Sequence, residues 1–286
     1  MNDPLFPHLV DLLQLAPKHS FILGGGLGLR VKRAHLVAGG VVTLASSVGV
    51  ELPEARATTD IDLFLRVELF ATQELGIALR KAIDQLKYHE RTPKWQFEKE
   101  FSELPGSSLV LDLLARRPSE YSGVKTKSLR VGSGSGTDLH GRETIEAFAV
   151  EDSPIICNVT DGFKIVGQVQ VANPYALFNM KVRAAHDWFR YRQKSWPLRE
   201  RQEPPSAKHA FDGALIVAML TLEELSATDE LSKRWSDISI ADEIKGEAEL
   251  LYGIENSPAW IEARRQGMFN DHALIWTAMK QALGMA

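Results

Sequence analysis

The chain has 286 residues, 44% of them hydrophobic and 24% charged. This is an ordinary globular balance that excludes wholesale disorder and leaves room for one large core or two modest ones. Its net charge of −4 excludes a generic polyanion binder, so any contact with nucleic acid has to rest on a local basic surface.

Cys157 is the only cysteine, which excludes an internal disulfide or a cysteine-built zinc site and suits a reducing cytoplasm. Neither a leader-like basic–apolar start nor an apolar run of the roughly 18–20 residues needed for a membrane span is visible. The expectation is a cytoplasmic protein with no membrane part, a monomer or weak dimer.

In chain order, Leu5 to Leu15 has apolar residues at helical spacing and stops before Pro17. Phe21-Ile22-Leu23 is a short apolar run into Gly24-Gly25-Gly26, which predicts a buried strand entering a tight turn. Helix follows from Leu27 to about Leu36, and 39–57 reads as loop with some helix or strand. Ile61 to Leu65 predicts a strand, and Glu68 to Lys87 an amphipathic helix. Trp95 to Phe101 alternates as a half-exposed strand does, and Leu109 to Leu114 is a second apolar run containing Asp112. From Ser119 to Gly141 the Ser/Gly/Lys-rich composition predicts a loop, with short strands between Ile155 and Val171. Asn173-Pro174 is a helix-start signal for a long helix to about Gln193. Further helices are expected near 207–225, 239–252 and 269–283. This pattern predicts an α/β (α+β) domain over 1–171, a small mixed sheet with flanking helices, and an all-helical domain over 172–286.

Three carboxylates carry the chemistry. Asp60 and Asp62 stand two apart on a strand and share a face. Asp112 sits in another apolar strand. Aspartates in such surroundings are costly unless compensated. Divalent metal compensates them, because Mg²⁺ or Mn²⁺ prefers carboxylate oxygens and keeps positions for phosphate and water. Two such ions form a known arrangement for displacement at phosphorus. Gly25-Gly26 lets backbone N–H groups approach phosphate oxygens at the start of a helix. The glycines match neither a P-loop nor a dinucleotide fingerprint, because no G-K-[ST] follows and Leu29 stands where the third glycine would. Taken singly, Asp-x-Asp also fits a solvated strand end, and the glycines a plain turn. Their order along the chain joins them.

Phe21-Ile22-Leu23-Gly24-Gly25-Gly26-Leu27, followed by Arg56-x-Thr58-x-Asp60-Ile61-Asp62-Leu63, resembles the nucleotidyltransferase superfamily of the DNA polymerase β type. Within it the chain is most similar to the AbiEii/MenT-type toxins of bacterial toxin–antitoxin systems. The resemblance implies a nucleotidyltransferase fold in which the Gly-Gly turn, with Arg56 and Thr58, holds a nucleoside triphosphate. Asp60 and Asp62 would then bind metal, and Asp112 would complete the site, also as general base. It further implies that Lys181, in Asn179-Met180-Lys181, contacts the triphosphate. Asp212, in Lys208-His209-Ala210-Phe211-Asp212, belongs to a second helical motif in which His209 replaces the usual Asp. Both the interval from Gly26 to Asp60 and the spacer from Lys181 to Lys208 are longer than the family pattern.

The expected activity is transfer of a nucleoside monophosphate to an acceptor hydroxyl, with the site in the cleft between the halves. By analogy with MenT-type toxins the expected acceptor is RNA, such as a tRNA 3′ end, and a cognate antitoxin is an expected partner. From Lys181 to Lys208 inclusive, eight Lys/Arg against three Asp/Glu interleave with Trp188, Phe189, Tyr191 and Trp196. That pattern suits a nucleic-acid backbone with stacked bases; it equally suits a helix with an aromatic core face. A small-molecule or protein nucleotidyltransferase, and a degenerate nucleotide-binding module, stay open as alternatives. His35, His89, His140 and His186 show no metal-ligand spacing.

Overall fold

Apolar residues that alternate along the chain sort each strand into a buried face and an open one. A computed structural model describes residues 4–92, 94–101, 106–119, 124–127, 129–132, 139–161, 164–193 and 205–285. Its strands are β1 (Phe21–Leu23), β2 (Asp60–Leu65), β3 (His89–Glu90), β4 (Gln96–Glu100) and β5 (Ser108–Ala115). They continue with β6 (Lys125–Lys127), β7 (Arg130–Gly132), β8 (Gly141–Glu143), β9 (Ile155–Asp161) and β10 (Lys164–Val171). All belong to one ten-stranded sheet in the order β6-β7-β8-β5-β2-β1-β10-β9, with β4 also on β5 and β3 on β4. It is mixed: β2–β5, β5–β8 and β1–β10 run parallel, the other pairs antiparallel.

The alternation is plainest in β5, where Leu109, Leu111, Leu113 and Ala115 are fully buried and Val110, Asp112 and Leu114 are half-buried. On β2, Ile61, Leu63 and Leu65 are likewise buried. One sheet face therefore holds the core, and the other carries the polar residues.

The chain divides into two compact units, residues 1–35 with 56–173 and residues 36–55 with 174–286. The first contains the sheet with α1 (Phe6–Leu15), most of α2 (Gly25–Ala38), α4 (Val67–Ala71) and α5 (Gln73–Gln85). The described elements of the second are helices: α3 (Leu44–Ser47), α6 (Pro174–Gln193), α7 (Pro205–Ala218), α8 (Leu222–Arg234), α9 (Ser239–Tyr252), α10 (Pro258–Arg265) and α11 (His272–Leu283). Phe178, Phe211, Tyr252 and Trp260 fill its core, and the Tyr252 hydroxyl donates to the Ala210 carbonyl at 2.8 Å. Capping boxes at Thr43/Ser46 and Thr221/Glu224 start α3 and α8, each satisfying two otherwise orphaned N–H groups.

Several expectations need correction. The sheet is large, because the Ser/Gly/Lys-rich stretch expected as loop contributes β6, β7 and the start of β8; residues 120–123, 128 and 133–138 of that stretch lie outside the described residues. Helix starts at Gly25, two residues before the expected Leu27. The helix expected over 68–87 is two helices, broken where Thr72 adopts an extended backbone (φ −109°, ψ 102°). The helix expected near 207–225 stops at Ala218, and α8 starts afresh behind Thr221. Residues 36–55, expected as part of the first domain, contain α3 and join the helical unit, where the Leu44 N–H donates to the Leu220 carbonyl at 2.7 Å.

Candidate active site

β1 ends at Leu23, and the chain turns through Gly24 and Gly25 into the first turn of α2. The turn is tied to β2: the Gly24 N–H donates to the Asp62 carbonyl at 2.9 Å, and the Gly28 N–H returns to the Gly24 carbonyl at 2.8 Å. Gly25 has φ +58°, a left-handed backbone that glycine adopts without penalty. A Cβ on Gly25 would also fall on the Asp62 carboxylate, so this backbone and that side chain are in direct contact. A Cβ on Gly26 would come within 3.2 Å of Thr58 Cβ. Thr58 in turn accepts the Asp60 N–H on its hydroxyl at 3.2 Å. The turn, Thr58 and the carboxylate strand thus pack as one piece. Arg56 lies just before them, half-buried.

The carboxylates converge through strand register. β2 and β5 run parallel with Asp62 opposite Asp112, and Asp60 is two residues earlier on the same face. Adjacent strands lie about 4.8 Å apart, so Asp62 and Asp112 are direct neighbours. On the other side of β5, Gln96 of β4 pairs with Asp112 and offers it a side-chain hydrogen bond. Burial pushes the Asp112 carboxyl above its ordinary range and the charge of Asp60 adds to this, while Gln96, Arg142 and Arg91 pull it back. One Asp112 oxygen, Oδ1, is buried with no hydrogen-bond partner.

These residues fit a divalent cation. Carboxylates sharing a face repel one another, and an orphaned buried oxygen is expensive; a cation relieves both. Among the described residues no group of three His, Cys, Asp or Glu side chains is placed to hold a metal ion by itself. Divalent cations such as Mg²⁺ are commonly held by one or two carboxylates and completed by substrate phosphates and water.

The raised Asp112 carboxyl has a consequence for stability. A carboxyl with a folded-state pKa above its unfolded value favours the fold while it is protonated. That contribution is full below the unfolded pKa and is lost as pH rises through the folded one. Without divalent metal, Asp112→Asn is therefore expected to gain in Tm over the parent as pH climbs through that window. Thermal melts of both proteins across mildly acidic to neutral pH check this. A difference that stays flat, or shrinks with rising pH, would contradict the assigned shift.

Lys181 and Asp212 are brought together inside the helical unit. Lys181 Nζ lies 2.7 Å from Asp212 Oδ2, on α6 and α7, with both side chains buried. Arg183 pairs with Glu243 at 2.7 Å and Glu247 at 2.6 Å, so its charge is already met within that unit. Trp188 is exposed. The side chains of Tyr191 and Trp196, and the rest of the basic spacer through residue 204, lie outside the described residues. Gln96 and Arg142 were not singled out in the sequence. The alternation of β4 places Gln96 on the open face, but only strand pairing aligns it with Asp112.

The glycine turn thus packs against the paired strand aspartates. A family model described as "Nucleotidyl transferase AbiEii toxin, Type IV TA system" matches residues 9–239 and spans the turn, all three aspartates, Lys181 and Asp212. The chain belongs to this AbiEii family and is a nucleotidyltransferase enzyme of the toxin type. Membership implies a nucleoside triphosphate substrate and a cognate antitoxin. No curated protein and no solved structure matches the chain. Among the described residues no helix is long and apolar enough to cross a membrane.

Proposed function

We propose that the sheet unit is a nucleotidyltransferase fold whose open face transfers a nucleoside monophosphate from a triphosphate, held with Mg²⁺ or Mn²⁺, to a hydroxyl of RNA. The observation that carries this reading is the register of Asp62 against Asp112, with Gly25 pressed on the Asp62 carboxylate. Gly25, Gly26 and the start of α2 present backbone N–H groups and the positive end of a fourteen-residue helix to the phosphates. Asp60 and Asp62 hold the cation, with Asp112 beside them as third ligand or base. When bound, that cation supplies charge neutralisation on the phosphates and lowers the pKa of the acceptor hydroxyl.

The acceptor oxygen attacks the α-phosphorus as Asp112 takes its proton. The bond to the β-phosphate oxygen breaks, and pyrophosphate leaves. An elevated carboxyl pKa suits Asp112 to this role, because a base works best near the ambient pH. Thr58 positions Asp60 through its backbone hydrogen bond. Arg56 is assigned to the triphosphate, and Lys181 and Asp212 carry over as nucleotide contacts on family resemblance.

The test is incubation of the full chain with total RNA, Mg²⁺ and each labelled triphosphate in turn. Label on RNA is expected with at least one nucleotide. Label found only on a small molecule or on protein would remove the RNA acceptor and leave nucleotidyl transfer in place.

A further inference from the structure

We infer that Lys127, Arg130 and Arg142 form a cross-strand row that binds the phosphodiester backbone of a single-stranded RNA acceptor, on the flank of the carboxylates opposite the glycine turn. This deepens the RNA reading above and rests on it.

The row follows from register. Lys127 of β6 pairs with Arg130 of β7, Arg130 pairs with Arg142 of β8, and Arg142 pairs with Leu114 of β5. Leu114 stands two residues beyond Asp112 on the same strand face. The three cations therefore share the open face with Asp60, Asp62 and Asp112. At about 4.8 Å per strand they span roughly 10 Å, starting one strand from Asp112's own. All three are exposed, as is Lys125, which lies on the same face of β6.

Like charges set directly opposite one another on a sheet are destabilising. Their neighbours show how such charges are otherwise handled: Arg116 pairs with Glu151 at 2.9 Å, and Arg117 with Glu143 at 2.7 Å. Among the described residues no carboxylate lies within ion-pair distance of Lys127, Arg130 or Arg142. Lysines on β6 alone would be accounted for as guards of an edge strand. Arg130 and Arg142 stand on interior strands, where edge protection does not apply. A row of cations with no ion-pair partner among the described residues, only Arg142 feeling the charge of Asp112, suits an anionic partner even on a chain of net charge −4.

Sheet order then separates two anions. The triphosphate belongs with Gly25 and Gly26 at the end of β1, on one side of the β2–β5 carboxylates. The row occupies β8, β7 and β6 on the other. An acceptor strand lying over the row would bring its terminal hydroxyl toward Asp112. A cationic small-molecule acceptor would be repelled from the same place.

The experiment measures binding of a fluorescent single-stranded RNA oligonucleotide to the full chain between about 50 and 200 mM salt. Each lost phosphate contact flattens the plot of log K against log salt by about 0.7 for a single strand. The triple variant K127Q/R130Q/R142Q is expected to lose about 2 from that slope, and to bind the oligonucleotide about tenfold or more weakly at the lowest salt. The double variant K127Q/R130Q loses about two-thirds as much, and the charge-keeping K127R/R130K/R142K keeps the slope. Since neutralisation relieves repulsion, the triple variant melts no lower than the parent, and triphosphate with Mn²⁺ still raises its Tm. If the parent labels RNA while the triple variant keeps its slope and affinity, the row is overturned and the RNA reading stands. If the parent neither binds nor labels RNA, both fall.

Discussion

Asp62→Asn is expected to abolish nucleotidyl transfer while leaving the protein folded and no less stable. Asp62 touches the glycine turn on one side and stands opposite Asp112 on the other, so it contributes both charge and shape to the site. Asparagine keeps the shape and removes the charge. Charge stabilisation of a transferring phosphoryl group is worth several kcal/mol. With a tenfold change per about 1.4 kcal/mol, the expected fall in turnover is on the order of 10³. The fold should not suffer, because a carboxylate is removed from a face where Asp60 already pushes up the Asp112 carboxyl. The checks are transfer of label from the triphosphate, and Tm with and without Mn²⁺ plus nucleotide. The variant should lose the nucleotide-and-metal shift in Tm that the parent shows, since only ligands that bind the folded state stabilise it. Retention of a tenth or more of the parent's activity would remove Asp62 from the proposed metal site.

The local parts of this site were legible in the sequence. Asp-x-Asp on an apolar strand fixes a shared face through the period of two. An apolar triplet running into glycines marks a strand that ends in a turn needing φ > 0. Both statements concern residues within a few positions of one another. What joins them is not local. That Asp112 falls opposite Asp62, rather than one residue away and on the far face, is set by the parallel register of β2 and β5, and no single-strand pattern encodes it. The same holds for Gln96, whose partner is sixteen residues further along the chain.

The segments whose structure departs from their local pattern have their own physical reasons. β6, β7 and β8 are three residues each, too short to display a period, and their Ser/Gly/Lys-rich surroundings look like linker. They are strands because neighbours complete their hydrogen bonds. The cationic row exists only through those pairings, and no local pattern displays it. In the helical half the helix boundary is a matter of punctuation. Thr221 and Glu224 spell a capping box in the sequence, and it starts α8 separately from α7. Residues 36–55 could be recognised as an insertion from the stretched interval between turn and aspartates. Their membership of the helical unit depends on packing that only the fold supplies.

Gly25→Ala separates the two demands on the glycine turn. The first is backbone conformation: φ +58° costs an L-residue about 1–2 kcal/mol. Gly49 shares that demand at φ +75° but has nothing within 4 Å of an added Cβ. Gly49→Ala should therefore lose about that much stability and keep its activity. Gly25→Ala pays the same conformational cost and must also expel the Asp62 carboxylate from the space its Cβ would occupy. The turn cannot retreat easily, because Gly24 and Gly28 are hydrogen-bonded on either side of it. Turnover should fall about as far as in Asp62→Asn, and Tm should fall further than in Gly49→Ala. Because both changes act on one carboxylate, their effects on activity should not add. In the Asp62→Asn background, Gly25→Ala should remove stability but little further activity, as denaturant melts and label transfer on all four proteins of the cycle would show. Equal losses in Gly25→Ala and Gly49→Ala would mean that the turn acts through its backbone conformation alone, and that its contact with Asp62 has no part in the chemistry.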